Sequence, residues 1–402
     1  MKFIYQIGAN LYFFAVTIFA LWNPKAKLFI DGRKESIGKL KGFIPSENTY
    51  WFHCASLGEF EQARPLIEAL KLKSDSSKIV VTFFSPSGYE IRKNYEFADL
   101  ILYLPKDSKS NASLFLDSIQ PSKIFFIKYE FWANYLLEAN NRNIPTYLVS
   151  GVFRKKQIFF KWYGGFMRQI LNSFTSIYLQ DKGSKILLDS IRIKSIITGD
   201  TRFDRVMQNA EKVKDFPEIR KFIDGKKCMV VGSCWPEDEN VIFSTLNKTD
   251  NLKVIVAPHE INESHIYLIC SSLTKKVIKF SELSELTTSK DYDVLIIDNI
   301  GMLMHLYQYA NIAYVGGAFG KGLHNILEPA SFGVPVIFGD KYSKFPEAFQ
   351  FINAEIGYSI KNNEEFELIF YNLLTMSDRS KVLTFMSSQK GATNQIMKDI
   401  FS

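Results

Sequence analysis

Residues 314–329 read YVGGAFGKGLHNILEP, and this stretch says most about the fold. It predicts a buried strand that ends at Gly316-Gly317 and a helix that begins near Asn325, a residue type that favours helix caps. Backbone amides at such a turn point outward and attract phosphate. The Glu328 carboxylate, one turn into the helix, can accept from two adjacent ribose hydroxyls. The stretch therefore predicts a nucleotide site, while a glycine-rich connection without a ligand is the alternative.

The same stretch differs from two familiar phosphate-binding motifs. It holds no GxGxxG fingerprint, and Gly320-Lys321 is followed by Gly322 where a P-loop has Ser or Thr. Further along, Gly333 and Pro335 predict that the next strand enters by a defined turn beside the same site. This neighbouring turn favours the nucleotide site over the simple connection.

On both sides of a polar segment, Met207–Lys227, β-rich runs alternate with helical patterns, which is typical of parallel sheets with crossover helices. The predicted strands of the first series are Thr49–His53, Lys78–Phe84, Asp99–Leu104, Lys123–Lys128, Thr146–Ser150, Ser176–Gln180 and Ser195–Thr198. Those of the second series are Cys228–Gly232, Lys253–Ala257, Lys276–Phe280, Asp293–Asp298, Ile312–Val315 and Val334–Phe338. We predict two doubly wound α/β domains, residues 23–206 and 207–402, with a cleft at the carboxyl ends of their strands. The last helices could pack back on the first domain.

The loop after the first strand is the second motif of interest. Ser56-Leu-Gly-Glu59 opens a predicted helix, whose dipole favours the ionised form of Glu59. An ionised carboxylate at a cleft is a suitable general base. Ser-x-x-Glu is also a capping box, and on local sequence alone that structural role is the stronger alternative.

A different acidic pattern, Asp291-Tyr292-Asp293, resembles a metal-binding D-x-D. It precedes a strand instead of following one, so it lies away from the expected cleft, and no zinc-ligand spacing occurs elsewhere. We therefore predict no metal site and no cofactor.

The first 22 residues form a predicted membrane anchor. Phe3–Trp22 is almost wholly apolar and close to the length that spans a bilayer. Basic residues follow it, and only Lys2 precedes it, which places the rest of the chain in the cytoplasm by the positive-inside rule. A helix lying in the membrane interface and a cleaved signal peptide remain alternatives.

The amino-acid composition limits the classes of binding partner that the protein is expected to have. The net charge is +7 without long basic runs, which suits an anionic membrane or a phosphorylated substrate and argues against nucleic acid. The four cysteines, at positions 54, 228, 234 and 270, form no CxxC pair and predict buried free thiols in a reducing compartment.

Taken in order, six motifs resemble those of the 3-deoxy-D-manno-octulosonic acid (Kdo) transferases of lipopolysaccharide synthesis. They are Ser56–Glu59, Ser85–Gly88, Glu130–Asn134, Gly199–Asp204, Pro258–Glu260 and Val315–Pro329. The resemblance covers nearly the whole chain and implies a GT-B fold, with an acceptor-binding first domain and a nucleotide-sugar-binding second domain. It implies an inverting, metal-free transfer of Kdo from CMP-Kdo to a lipid A precursor, on the cytoplasmic side of the inner membrane.

The resemblance also implies residue roles. Glu59 matches the catalytic base, and Glu130 and Arg202 match groups that stabilise the transition state, Arg202 replacing the usual Lys. The matching CMP contacts are Pro258, His259, Ile300, Gly301, Met302, Asn325, Ile326, Leu327 and Glu328.

Three positions depart from the family pattern. His259 stands where the family has Arg, Ala133 where Pro is frequent, and Lys128 where an acidic residue is common. His259 puts one phosphate contact in doubt. Two other functions remain open at this point: a GT-B transferase that uses a UDP-sugar, and a membrane-tethered nucleotide-binding module without catalysis.

Overall fold

The computed structural model of the chain describes residues 2–283, 289–375 and 378–401. The chain divides into two units, Met1–Arg205 together with Gln389–Ser402, and Val206–Ser388. Each unit is built on one parallel sheet of seven strands. The last helix of the chain thus belongs to the first unit.

The sheet of the first unit has the order β3-β2-β1-β4-β5-β6-β7. Its strands are β1 (Thr49–Cys54), β2 (Lys78–Phe83), β3 (Leu100–Tyr103), β4 (Lys123–Ile127), β5 (Thr146–Gly151), β6 (Ser176–Leu179) and β7 (Ile196–Ile197). Strand β1 is buried along its whole length, as a central strand covered on both faces should be. The chain winds to one side of β1 and then to the other, so the gap between β1 and β4 is the topological switch point where such sheets bind ligands.

The sheet of the second unit has the order β10-β11-β9-β8-β12-β13-β14. Its strands are β8 (Lys227–Cys234), β9 (Leu252–Pro258), β10 (Val277–Lys279), β11 (Val294–Ile296), β12 (Ile312–Val315), β13 (Val336–Gly339) and β14 (Gly357–Ile360). Its switch point lies between β8 and β12, which pair in parallel. The sequence does not predict β14, a four-residue edge strand that contains Gly and Ser and so lacks the usual β-rich pattern.

Helices cover both faces of each sheet, and the prediction of doubly wound α/β architecture is confirmed. In the first unit they are α1 (Lys2–Phe19), α2 (Pro24–Lys41), α3 (Leu57–Lys73), α4 (Pro86–Arg92), α5 (Lys109–Ile119), α6 (Ala133–Asn141), α7 (Gly165–Leu171), α8 (Lys182–Ser190), α9 (Thr201–Ala210, which runs into the second unit) and the final helix α18 (Ala392–Phe401). In the second unit they are α10 (Pro217–Ile223), α11 (Pro236–Lys248), α12 (Glu263–Ser272), α13 (Leu303–Leu306), α14 (Leu327–Ala330), α15 (Pro346–Asn353), α16 (Asn363–Thr375) and α17 (Ser380–Ser388).

Helix α18 is fixed to the first unit at its start. The Asp204 carboxylate accepts from the backbone N–H groups of Gly391 and Thr393, each at 2.7 Å. Further along, Ile396 enters the core and the Tyr178 hydroxyl donates to Asp399 at 2.6 Å. Asp204 therefore has a structural role within the Gly199–Asp204 motif.

Helix α1 is, among the described residues, the one helix long and apolar enough to cross a membrane. It ends at Phe19, before the predicted Trp22, because Pro24 starts a separate helix, α2, with Asn23 as its cap. One face of α1 packs on the first unit: the Tyr5 hydroxyl donates to the Asp107 carboxylate at 2.5 Å. The other face leaves large apolar side chains exposed, namely Phe3, Ile4, Leu11, Phe14 and Ile18.

Candidate active site

Glu59 lies in the first turn of α3, directly after β1 at the switch point of the first unit. Its Oε2 accepts from the Ser56 backbone N–H at 3.0 Å, so the predicted capping box with Ser56 is present. The carboxylate also keeps acceptor capacity beyond this bond, because each oxygen has two lone pairs. The capping role therefore leaves room for a chemical one.

The surroundings of Glu59 change its acidity. Burial and then the nearby charge of Glu130 raise the pKa of Glu59 to about 7, against the opposing effects of Lys128 and of the backbone amides of Ser56 and Ala55. A carboxyl group with a pKa near neutrality is a better proton acceptor than an ordinary surface carboxylate. Glu59 is thus electrostatically suited to take a proton at physiological pH.

Glu130 follows β4, the strand beside β1, and is buried. Its Oε2 accepts from the Trp132 indole N–H at 2.6 Å and lies 3.2 Å from His53 Nε2. Because Oε2 acts as an acceptor, His53 donates from Nε2, and its Nδ1 accepts from the Thr82 hydroxyl at 2.8 Å. Two neighbouring aromatic side chains therefore fix the position of the Glu130 carboxylate.

The sequence assigns no role to His53 or Thr82. His53 is completely buried on β1, and Thr82 lies beside it on β2, where its hydroxyl also accepts from Trp51 Nε1 at 2.8 Å. This chain of hydrogen bonds runs across three strands, so no local spacing in the sequence reveals it. The sequence offers one signal of this network: a polar residue stands at positions 53 and 82, within strands that are otherwise apolar.

Lys128 directly follows β4 and has a left-handed backbone, φ 64°. A non-glycine residue in this region is uncommon and is frequently found at functional sites. Its charge lowers the pKa of Glu59, opposite to the effect of Glu130. The departure from the family pattern at this position thus acts directly on the candidate base.

Arg202, at the start of α9, pairs with Asp200 within its own motif. Its Nε and Nη2 donate to Asp200 Oδ2 at 2.9 and 2.7 Å. The same segment contacts α3 one turn beyond Glu59, since Gln62 donates to Asp200 at 3.1 Å and Thr201 donates to the Gln62 carbonyl at 2.6 Å. The structure therefore brings the Arg202 segment onto the helix that begins with the candidate base.

The Ser85–Gly88 motif also adjoins that helix; it is the cap and first turn of α4. A Cβ on Gly88 would lie 2.3 Å from the Phe83 ring and 3.1 Å from the backbone nitrogen of Leu57, the first residue of α3. Only glycine fits this approach, which explains the motif in packing terms.

In the second unit, the predicted nucleotide contacts lie at the carboxyl ends of three strands or after them. Pro258 ends β9 and His259 follows it, Ile300–Met302 follow β11, and Asn325–Glu328 follow β12. Because all strands are parallel, their carboxyl ends share one edge of the sheet, on which the switch point between β8 and β12 lies. Asp291 and Asp293 precede β11, so they lie at the opposite edge.

Three rings line this edge beside the predicted contacts. Trp235, after β8, stacks on His259 with ring centroids 4.4 Å apart, and His259 in turn lies 4.5 Å from His324. The Trp235 indole N–H donates to His324 Nε2 at 3.2 Å. Burial and the neighbouring His259 lower the pKa of His324 to about 4, so this ring stays neutral near pH 7.

The double glycine is required by its surroundings. A Cβ on Gly316 would lie 2.3 Å from the Ser233 carbonyl oxygen, and Gly317 has φ +92° with Gly322 equally close. Asp238, which the sequence does not single out, holds the turn: its carboxylate accepts from Gly317 N–H at 2.9 Å and from the Tyr314 hydroxyl at 2.7 Å.

Beyond the glycines the prediction needs two corrections. Helix α14 begins at Leu327 and has four residues, so Glu328 lies in its first turn and not one turn inside. The N-cap is Ile326 and not Asn325, which lies one residue earlier; the Asn325 Oδ1 accepts from Leu327 N–H at 3.1 Å and its Nδ2 donates to Glu328 Oε1 at 3.0 Å. Ile300 is 93% exposed and next to Gly301, which has φ +97°.

Comparisons with known proteins identify sequences similar to this chain. The family model for 3-Deoxy-D-manno-octulosonic-acid transferase (kdotransferase) matches residues 31–205. The 3-deoxy-D-manno-octulosonic acid transferase of Aquifex aeolicus is 27% identical over 358 residues, covering 85% of this chain and 92% of its own. That of Chlamydophila psittaci is 28% identical over 348 residues, covering 81% and 79%.

A further relative is longer than this chain. The bifunctional glycosyltransferase/methyltransferase of Fusobacterium nucleatum is 27% identical over 359 residues, and the match spans 86% of this chain but only 55% of that protein.

Solved structures share the architecture at low sequence identity. UDP-GlcNAc 2-epimerase from Neisseria meningitidis has a TM-score of 0.61 at 16% identity and covers 87% of this chain and 98% of its own. MurG from Acinetobacter baumannii has a TM-score of 0.55 at 10% identity, covering 88% and 98%. These likenesses establish the GT-B fold.

Proposed function

We propose that this chain is a member of the 3-deoxy-D-manno-octulosonic acid (Kdo) transferase family of glycosyltransferases, and that it moves Kdo from CMP-Kdo to a lipid A precursor with inversion at the anomeric carbon. The observation that carries the proposal is Glu59, a carboxyl group with a pKa of about 7 at the switch point of the first sheet. A single carboxylate base suits a direct displacement, in which the acceptor attacks as the nucleotide leaves.

In the proposed reaction, an acceptor hydroxyl gives its proton to Glu59 as its oxygen bonds to the anomeric carbon of Kdo. The bond between that carbon and the phosphate oxygen breaks, and its electron pair leaves with CMP. Positive charge on the sugar is then stabilised by Glu130, which His53 and Trp132 hold in place. We assign to Arg202 the stabilisation of the negative charge that develops on the leaving phosphate. The ion pair between Arg202 and Asp200 weakens this electrostatic effect.

We assign the donor nucleotide to the edge of the second sheet. The glycine turn at Gly316-Gly317 allows close approach to the backbone, and Glu328 suits the ribose hydroxyls. The backbone N–H groups of Gly316, Gly317 and Leu327 donate to Gly232, Asp238 and Asn325, so these three amides do not serve the phosphate. Pro258, His259 and the exposed loop Ile300–Met302 complete the assignment. His259 replaces a permanently charged Arg, so we expect its phosphate contact to be weaker than that of Arg.

We further propose that α1 lies in the membrane interface, with the rest of the chain on the cytoplasmic side. Tyr5 and Gln6, in its first turns, bond to Asp107 of the first unit, and Gln6 also accepts from Asn134. A spanning helix would carry its first turn to the far side of the bilayer, about 27 Å away for 18 residues, out of reach of these partners. The exposed apolar face of α1 is the face available to lipid.

Labelling tests this topology. A Lys2→Cys protein, with the four native cysteines replaced by Ala, should be unreactive toward an impermeant maleimide applied outside intact inner-membrane vesicles of native orientation, and reactive in inverted vesicles. Labelling from the outside would contradict the interfacial position and support a spanning helix.

Nucleotide competition tests the donor. CMP should displace bound CMP-Kdo from the full-length protein, while UDP at the same concentration should not. Preferential displacement by UDP would replace the proposal with a UDP-sugar transferase. Binding without turnover of any nucleotide sugar would instead indicate a non-catalytic nucleotide-binding module.

A further inference from the structure

A groove of about 470 Å³ runs between helix α1 and the loops that follow β2 and β4. Its lining consists of Tyr5, Gly8, Ala9, Tyr12, Phe13, Phe84 and Trp132. The α1 members recur at helical spacing, so they form one face of that helix. The lining is apolar apart from the two tyrosine hydroxyls.

The groove ends at the candidate catalytic centre. Its Trp132 wall packs against Phe84 in a tilted arrangement, with ring centroids 4.8 Å apart, while the indole N–H of the same Trp donates to Glu130 at 2.6 Å. Phe84 and Trp132 follow β2 and β4, the two neighbours of β1, and Glu59 follows β1 itself. The aromatic wall of the groove is therefore in direct contact with the acidic site.

Helix α1 is held rigidly enough to form the opposite wall. The Tyr5 hydroxyl accepts from the backbone N–H of Ala133 at 3.2 Å, next to Trp132. Eight residues on, Phe13 packs against Phe29 of α2, with centroids 5.7 Å apart. The outer face of the same helix exposes its apolar side chains, so one wall of the groove is also the membrane-facing element.

We propose that this groove binds an acyl chain of the glycolipid acceptor and thereby delivers the acceptor's sugar to Glu59. The proposal rests on the proposed function for the identity of the acceptor. Three features favour an acyl chain as the occupant: the apolar lining, the continuity with the lipid-facing helix, and the contact with Glu130. If a second copy of the chain or a peptide bound in this groove, the contact between the groove and the acidic site would have no function.

Gly8 allows a specific test. A Cβ at this position meets nothing within 4 Å, so a larger side chain fits into open space in the groove without disturbing the fold. Gly38 on α2 is equally unobstructed and exposed, but it does not line the groove. Gly8→Phe and Gly38→Phe therefore make the same chemical change inside and outside the proposed site.

Kdo transfer is measured with full-length protein in mixed micelles, using an acylated lipid A precursor and the same disaccharide after deacylation. For Gly8→Phe, the KM for the acylated acceptor should rise about tenfold, the effect expected when roughly two methylenes lose their contacts. Its kcat/KM for the deacylated acceptor should stay at the wild-type value, and Gly38→Phe should match wild type with both. An unchanged KM for the acylated acceptor, or an equal loss with both acceptors, would overturn the groove assignment.

A second measurement serves if the deacylated acceptor is not used or if Gly8→Phe does not fold. An acceptor with a diazirine in one acyl chain is photolysed with wild-type protein, and the adducts are mapped by mass spectrometry. Adducts on α1 or on the peptide that contains Trp132 are expected, and adducts confined to other segments would refute the proposal. Failure of the proposed function gives a different result, since wild-type protein would then transfer Kdo to neither acceptor.

Discussion

The two switch points of the molecule are lined by different kinds of chemical group. After β1 and β4, the first unit places charged side chains, Glu59, Lys128 and Glu130, on a buried network of aromatic and imidazole groups. After β8 and β12, the second unit places a double glycine and a stack of rings. We assign proton transfer to the first edge and the donor nucleotide to the second.

Under the proposed function, the two edges have different tasks in the transfer reaction. Phosphate recognition needs backbone amides and close approach, which glycine supplies and which appears in the sequence as a compact motif. Proton transfer needs a carboxylate whose pKa is adjusted by groups from several strands. Changes at the first edge should therefore affect turnover, and changes at the second should affect donor binding.

The largest effect should come from Glu59→Gln. Without the base, kcat should fall about a thousandfold, within the usual range for general base catalysis, while the Kd for CMP stays unchanged. Single-turnover kinetics and calorimetric CMP titration on the same preparation separate the two quantities. A variant that transfers Kdo at the native rate would eliminate Glu59 as the base.

Substituting one glycine at each edge should change the free energy of unfolding by different amounts. Gly316→Ala should lower the free energy of unfolding by roughly 3 kcal/mol, because its Cβ would clash with the Ser233 carbonyl and Asp238. Gly58→Ala, beside Glu59, meets nothing within 4 Å and should cost nothing or add up to about 1 kcal/mol as a better helix former. Urea denaturation measures both, and equal losses would show that the contrast in backbone packing is wrong.

Glu328→Gln should act on donor binding alone. Loss of charged hydrogen bonds to the ribose should raise the Kd for CMP by about tenfold to a hundredfold, with kcat at saturating donor nearly unchanged. Glu364→Gln, an exposed carboxylate of the same unit, is the matched control. If the two variants bind CMP equally, Glu328 does not contact the nucleotide.

The smallest effect should be a shift of the pH profile. Glu59 must be ionised to accept a proton, so kcat/KM should decline as the pH falls through about 7. Lys128→Met removes a charge that favours ionisation and should move this decline to higher pH, by up to about one unit. Glu130→Gln should move it to lower pH. Lys123→Met, at the other end of β4, should leave it in place, and a shift there as large as that of Lys128→Met would show a non-local cause.

The sequence predicts the second edge better than the first. The strand and the glycine turn are local, so the pattern at 314–329 describes them well, although it misplaces the cap of α14 by one residue and does not show how short that helix is. The sequence does not reveal the role of Asp238, because this residue lies on a helix about eighty residues earlier in the chain. At the first edge, Glu59 is visible through its capping box, but the roles of His53 and Thr82 depend on strand order, which periodicity alone does not provide.

Helix α1 shows the same limit. Its apolar length predicts an anchor, whereas its orientation depends on Tyr5 and Gln6 meeting Asp107 and Asn134, more than a hundred residues away. Length and hydropathy cannot distinguish a spanning helix from one that lies on the protein. The tertiary hydrogen bonds of Tyr5 and Gln6 allow this distinction to be made.

The most direct test of the central claim is the mass of the product. Full-length protein is incubated with CMP-Kdo and a lipid A precursor, and the lipid is analysed by mass spectrometry beside a Glu59→Gln control. We predict that the acceptor gains the mass of Kdo, with release of CMP, in the wild-type reaction only. An acceptor that stays unmodified with CMP-Kdo but gains a sugar from a UDP-sugar would contradict the account.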